Sequence, residues 1–180
     1  MAHFFTYVLV SGSTKDVRER VRFLMTPYHN EFEVEEYETE CDCAGQGQTP
    51  DPDCEECGGT GKYFTTFNPM CMFDFYAIWD SQHVLPNASK DPSDWEDEVV
   101  VDDDIPDDDN AAMAPLGSLN IERLKLPHVV VTPSGDWHEM PGDWYSEDRY
   151  SADWQQWNST VKEIYAKWPS AILVVLNCHQ

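Results

Sequence analysis

The sequence predicts an α+β domain in which a mixed sheet carries two helices packed on a face. A strand–helix segment opens the chain and a helix–strand segment closes it, which is typical of a layered α+β fold. The length of 180 residues and the hydrophobic fraction of 41% suffice for one domain with a buried core. We therefore expect a single domain over residues 1–180, with a cysteine-rich insertion at 38–64 and an acidic loop insertion at 87–112.

The first half of the chain opens with a predicted strand over Phe4–Val10, a β-branched and aromatic run that ends at a Ser-Gly turn. Ser13 or Thr14 is expected to cap the next helix, which Pro27 ends. Its apolar positions Val17, Val21 and Leu24 share one face. Further strands are predicted over Glu31–Tyr37 and Tyr63–Phe67, whereas Phe73–Trp79 fits either a strand or a short helix.

The second half gives clearer signals. Val129–Thr132 predicts a strand, and the turn Pro133–Asp136 leads to Trp137-His138 as the other arm of a hairpin. Ser151 is expected to cap a helix that Pro169 ends, and Ala171–Leu176 predicts a buried central strand. The apolar stripe of that helix is Trp154, Trp157, Val161, Ile164, Tyr165 and Trp168.

Two cysteine motifs predict a metal site. Cys41-x-Cys43 and Cys54-x-x-Cys57 are each followed by x-Gly-x-Gly, which lets the backbone turn tightly behind a thiolate. Four thiolates in two close pairs match a closed tetrahedral site, so structural Zn²⁺ is the expected cofactor. Disulfides and free thiols are the alternatives, but no signal peptide is recognisable, so we expect a cytoplasmic location with reduced thiols. Cys71 and Cys178 lie outside the pattern.

The second motif, Cys54-x-x-Cys57-x-Gly59-x-Gly61, resembles one repeat of the cysteine-rich region of DnaJ-type chaperones. The first motif is one residue shorter than that repeat. The resemblance covers about twenty residues and implies a zinc-binding fold only. No J-domain pattern accompanies it, so it does not imply chaperone function.

The chain is strongly acidic, with a formal net charge of −23 from 34 acidic and 11 basic residues. This charge disfavours direct binding to duplex nucleic acid and to anionic membranes, both of which need a basic surface. The segment Asp91–Asp109 holds eleven acidic residues and no basic one. It fits a solvated loop, a site for a hard cation such as calcium, or a surface that docks into a basic groove.

Several short motifs follow one another along the chain. They are His3-Phe4-Phe5-Thr6, Thr26-Pro27-Tyr28-His29, Thr65-Thr66-Phe67-Asn68-Pro69, Phe73-Asp74-Phe75-Tyr76, Thr132-Pro133-x-Gly135-x-Trp137-His138 and Asn177-Cys178-His179-Gln180. Their order resembles a family of uncharacterised tailed-bacteriophage proteins. Met72 and Phe73 stand where that family usually has lysine and tryptophan, and Asn177 replaces its aspartate. The resemblance implies a phage origin and a location in the cytoplasm of the infected cell, and it implies no activity.

The residues favour a binding protein over an enzyme. No phosphate loop, serine elbow, dinucleotide fingerprint or His-Glu-x-x-His motif is present, and we assign no catalytic residue. We expect an accessory phage protein that inhibits a host nucleic-acid-handling or defence protein by occupying its basic groove. The expected contacts are Asp102, Asp103, Asp104, Asp107, Asp108 and Asp109. The alternative is an enzyme or small-ligand-binding protein with a pocket built from His29, Asp74, His138 and His179, with His3 as a further candidate.

Overall fold

The computed structural model describes residues 3–12, 16–47, 49–78, 112–142 and 151–180. The acidic segment at 91–109, with its six predicted contact aspartates, lies outside these ranges. In the part that is described, no helix is both long and apolar enough to cross a membrane. The strands are β1 (His3–Val10), β2 (Tyr37–Glu40), β3 (Lys62–Thr65), β4 (Phe75–Ile78), β5 (Met113–Pro115), β6 (Val129–Val131), β7 (Trp137–Glu139) and β8 (Ile172–His179), and the α-helices are α1 (Val17–Met25) and α2 (Ala152–Lys167).

Within the described residues, six strands form a mixed sheet, which confirms the predicted α+β class. The order along the sheet is β4, β8, β1, β6 and β7, and β5 pairs with the same edge of β8 as β4. Among the strand pairs that the structure describes in this sheet, only β1–β6 is parallel. Strand β8 is buried along its whole length between β1 and β4, which confirms the predicted central strand. It extends to His179, beyond the predicted end at Leu176, because β1 and β4 both pair with its last residues.

The two α-helices pack on opposite faces of the sheet, whereas the sequence suggested a shared face. Alternate residues of β1 and β8 point to opposite sides, so one set packs with α1 and the other with α2. Val8 and Val174 contribute to the α1 side, and Leu9 and Leu173 to the α2 side. A central strand that is apolar on both faces needs a cover on each, and this explains the arrangement.

The helix signals are largely confirmed. Ser151 caps α2 as predicted, because its Oγ accepts a hydrogen bond from the amide of Trp154 at 3.2 Å. Asp16 stands at the N-cap of helix α1, and the predicted caps Ser13 and Thr14 lie outside the described residues. It ends at Met25, and Pro27 lies in a short 3-10 turn that follows.

The hairpin β6–β7 is confirmed at its predicted turn. The amide of Thr132 donates to the carbonyl of Asp136 at 3.0 Å, and Gly135 has a φ of +90°. The segment Phe73–Trp79, which the sequence left undecided, contains strand β4 from Phe75.

The predicted strand over Glu31–Tyr37 is wrong except for its last residue. Strand β2 begins at Tyr37 and pairs only with β3, in a two-stranded sheet separate from the main one. Strand β3 begins and ends slightly before the predicted Tyr63–Phe67. The register joins Tyr37 to Thr65 and Glu40 to Lys62, so it places the cysteine loop directly between the two strands. The position of the strands therefore follows the cysteine loop that joins them. It does not follow the weak alternation of apolar and polar residues before Tyr37.

Candidate metal centre

The structure brings the four predicted ligands together. The Sγ atoms of Cys41, Cys43, Cys54 and Cys57 all lie within 4.8 Å of one another. The closest pairs are Cys41 with Cys54 at 3.6 Å and Cys43 with Cys57 at 3.4 Å. A disulfide needs about 2.05 Å, so all four are free thiols. Around a tetrahedral ion with metal–sulfur bonds of about 2.3 Å, neighbouring sulfurs lie about 3.8 Å apart, and the observed pairs fit that spacing.

The hairpin β2–β3 holds the two cysteine pairs opposite each other. Cys41 directly follows β2, and its amide donates to the carbonyl of Gly61 at 2.9 Å, which extends the ladder by one step. A 3-10 helix over Asp42–Gly47 then turns Cys43 back toward Cys41. On the other side, the amide of Gly58 donates to the carbonyl of Cys54 at 2.8 Å and closes the turn that presents Cys57.

Glycine is required at Gly61 and Gly59, as the motif predicted for the second half of the site. Gly61 has a φ of +79°, and its amide donates to Sγ of Cys57 at 3.3 Å. A Cβ at Gly61 would lie 2.7 Å from Cγ of Pro50, and one at Gly59 would lie 3.0 Å from the Pro52 backbone. The first motif works differently, because Gly45 does not adopt a positive φ and a Cβ there would meet nothing within 4 Å.

The electrostatics of the cluster favour at least one thiolate. Burial by itself raises the pKa of the Cys57 thiol. Hydrogen bonds from the amide of Gly61 and from the neighbouring thiols outweigh this effect, and the net pKa is lowered to about 6. The amide of Cys43 lowers the pKa of Cys41, yet burial and hydrogen bonds with Cys54 and Glu56 outweigh it and raise the value. Such unequal thiols are expected where four of them share one small volume, because each ionisation opposes the next.

These four residues therefore form a candidate metal-binding site. Four thiolates fill a tetrahedral coordination shell and leave no position for a substrate, so the site suits a structural role. Cys71 and Cys178 do not join it, in agreement with the sequence interpretation. Cys178 is fully buried in the core beside α1, and burial raises its pKa to about 12.

Asn68 anchors the cysteine hairpin to the body of the protein, and sequence reasoning assigned it no role. Its side chain is 1% exposed, and its Nδ2 donates to the carbonyls of Pro27 at 2.7 Å and His29 at 3.1 Å. Its Oδ1 accepts from the amide of Met70 at 3.0 Å. The available sequence signal for this role was an asparagine before a proline in a polar loop. That signal did not reveal the partners of Asn68, because they are about forty residues away in the sequence.

The candidate histidines and Asp74 lie at several places in the fold. Nδ1 of the buried His179 lies 3.7 Å from Oδ2 of Asp74, and the His179 ring stacks on Phe75 at 4.4 Å. His3 meets the same imidazole edge-on at 5.0 Å. His138 lies on β7, at the opposite edge of the sheet from β4. His29 lines a separate cleft beside α1.

Residues 31–67, which we call the knuckle arm, carry a surface that the sequence analysis missed. The arm contains eleven acidic residues and a single basic one, Lys62, so its formal charge is −10. All eleven acidic side chains are exposed. Phe64 and Phe67, which are 64% and 57% exposed, lie on the same arm. The sequence shows this concentration of acidic residues, but the interpretation relied on the segment at 91–109, where acidic residues are denser.

Comparison of the chain with protein-family models, with curated proteins and with solved structures gives no match. The similarity to DnaJ-type cysteine repeats and to a bacteriophage family therefore stays a prediction. The metal centre stands on its own geometry, which is the convergence of four Sγ atoms at the end of one hairpin.

Proposed function

We propose that the protein is a zinc-stabilised, non-enzymatic accessory protein of a bacteriophage, which acts in the host cytoplasm. It binds a host protein that handles nucleic acid and occupies the basic groove of that protein. The observation that carries the proposal is the knuckle arm, where eleven exposed carboxylates face a single lysine. A surface of this charge is complementary to a groove built for phosphates, and it accelerates encounter with such a groove.

Zinc is the metal that suits this role. A tetrahedral set of four thiolates selects Zn²⁺ or iron, and the hairpin with closely spaced ligands is typical of structural zinc. Because the arm has only a two-stranded sheet of its own, the metal supplies the cross-link that keeps it ordered. A rigid arm presents its charges in a fixed pattern, which reduces the ordering cost of binding.

The exposed aromatic side chains add an anchor to this surface. Phe64 and Phe67 are large and solvent-exposed next to the carboxylates. Aromatic residues in the centre of an interface contribute much of the binding free energy, whereas exposed charges mainly set the rate and the specificity. The proposed partner therefore has a basic groove with an apolar pocket beside it.

The test compares three tagged proteins in a bacterial lysate treated with nuclease. The first is the native chain, the second carries Glu33→Gln, Glu35→Gln and Glu36→Gln, and the third carries asparagine at the aspartates of the acidic segment. We expect the native chain to retain a nucleic-acid-binding protein at low salt and to release it at high salt. The acidic-segment variant changes Asp102, Asp103, Asp104, Asp107, Asp108 and Asp109.

Competition with duplex DNA then decides the mechanism. If the protein occupies the basic groove, DNA displaces it from the purified partner, and at least one of the two variants binds more weakly. Unchanged affinity in both variants, or a ternary complex with DNA, would overturn the proposal. Metal analysis of each variant should still find one zinc per chain, because none of the altered residues is a ligand.

A further inference from the structure

A cleft of about 360 Å³ opens between α1 and the chain that follows it. Its size lies near the lower end of the range of about 300–1,000 Å³ for small-molecule sites. The lining combines aromatic rings with a few charged groups, which is the usual composition of such sites. The residues that matter here are Arg22, His29, Glu31, Phe32, Phe73 and Tyr76.

The floor of the cleft is preformed. Phe73 is 1% exposed, and its backbone is fixed by a bridge to His29 and by a hydrogen bond from the amide of Asn30 at 3.1 Å. The His29 and Tyr76 rings meet Phe73 edge-on at 5.4 and 5.7 Å. Phe32, which is 40% exposed, adds an aromatic face that is open to solvent. An aromatic ligand would therefore find rigid apolar walls without a rearrangement.

Two polar side chains of the cleft, Arg22 and His29, are hydrogen-bond donors for an anion, whereas Glu31 contributes an exposed carboxylate. Nδ1 of His29 accepts from the amide of Glu31 at 3.1 Å, so the neutral imidazole carries its proton on Nε2 and can donate it. Among the described residues, no carboxylate forms an ion pair with Arg22. Arg22 and Tyr76 both line the cleft, so the guanidinium and this aromatic wall share one site. Burial raises the pKa of Tyr76, and the charge of Arg22 opposes that rise.

We propose that this cleft binds a small ligand that joins an aromatic ring to a phosphate or carboxylate group. The ring would lie among Phe32, Phe73 and Tyr76, and the anion would take hydrogen bonds from Arg22 and His29. The net charge of −23 does not prevent this, because distant charges are screened over about 8 Å at physiological salt. Locally, α1 supplies three of the eleven basic residues of the chain.

The test is calorimetric titration with two aromatic anions, adenosine 5′-monophosphate and indole-3-acetate, and with their uncharged counterparts adenosine and indole-3-acetamide. We expect at least one anion to saturate with one ligand per chain and to bind about tenfold more tightly than its uncharged counterpart. Binding of only one of the two identifies which combination of ring and anion the cleft accepts. If neither anion binds at millimolar concentration, the proposal is wrong.

Matched variants locate the site. Arg22→Gln should weaken binding about tenfold. Arg20→Gln removes the same charge from the same helix, but Arg20 instead donates to the carbonyl of Ser11 at 2.7 Å, so it should bind normally. Phe32→Ser changes an exposed side chain and should also weaken binding. The Met25 methyl resonance should shift on titration and that of Met140 should not, since only Met25 lines the cleft. Equal losses in the two arginine variants would overturn the proposal.

Discussion

Replacing each of three glycines of the knuckle arm with alanine tests the geometry of the metal centre. Gly61→Ala combines a left-handed backbone with a collision, because its φ is +79° and the new Cβ would lie 2.7 Å from Pro50 and 2.9 Å from Ala44. Gly58→Ala has the backbone cost alone, since its φ is +59° and a Cβ meets nothing within 4 Å. Gly45→Ala has neither cost. The three variants therefore separate strain from overpacking.

The expected order follows from these two costs. A non-glycine residue in the left-handed region costs about 1–2 kcal/mol, and overpacking a filled site costs about 1–3 kcal/mol more. The proline ring and the alanine methyl that Gly61→Ala would strike are not the ends of flexible side chains, so they cannot move aside cheaply. We expect losses of about 2–5 kcal/mol for Gly61→Ala, about 1–2 for Gly58→Ala and near zero for Gly45→Ala.

Metal competition is the appropriate assay, because binding of the metal is coupled to folding of the arm. Each variant is titrated with a chromogenic chelator, and the apparent zinc affinity is compared with that of the native chain. A loss of about 2 kcal/mol appears as about a thirtyfold weaker affinity. The reasoning would be refuted if Gly45→Ala weakened zinc binding as much as Gly61→Ala, or if Gly61→Ala and Gly58→Ala were equal.

Three further predictions follow from other contacts. Cys54→Ser or Cys57→Ser should release the metal and destabilise the arm by several kcal/mol, on the order of the stability that a structural metal supplies. Elemental analysis would detect the first effect and chemical unfolding the second. A native chain that is fully stable without metal would contradict this prediction. Asn68→Ala should lower the free energy of unfolding by about 1–3 kcal/mol and leave the metal content unchanged, because it removes the donor from two part-buried carbonyls 2.7 and 3.1 Å away. A hydrogen bond from Ser134 lowers the pKa of Asp136. The ionised carboxylate therefore stabilises the fold at any pH above the ordinary pKa of an aspartate, and this contribution is lost as the pH falls below about 4. Asp136→Asn should therefore flatten the acid side of the stability profile, and an unaltered profile would count against this hydrogen bond.

The elements that sequence predicted well are those whose signals are local. The cap at Ser151 and the turn before Trp137 each depend on residues within four positions of each other, and both are confirmed. The apolar run Ala171–Leu176 predicted a central strand because only a strand covered on both faces is apolar throughout. Strand β2 was misplaced because its position depends on pairing with β3 across the cysteine loop, which no local pattern records.

The candidate site divides in the same way. Spacing alone predicted the four cysteines, because thiolates in two pairs followed by glycines have few other uses. The grouping of the histidines depends on strand order, which sequence did not reveal: pairing of β4 with β8 brings Asp74 to His179, and His138 lies on β7. The cleft beside α1 was not foreseen, since Arg22 and Tyr76 are more than fifty positions apart and meet only after folding.

The amino-acid sequence by itself determined the α+β class, the candidate metal ligands and the acidic character of this protein, because composition and short spacings carry that information. The tertiary structure alone decided that the helices cover opposite faces, that Asn68 anchors the arm and that a cleft forms over Phe73. Each of these depends on contacts between distant parts of the chain. Such contacts are selected by the packing of the whole core, which leaves no trace in any one segment.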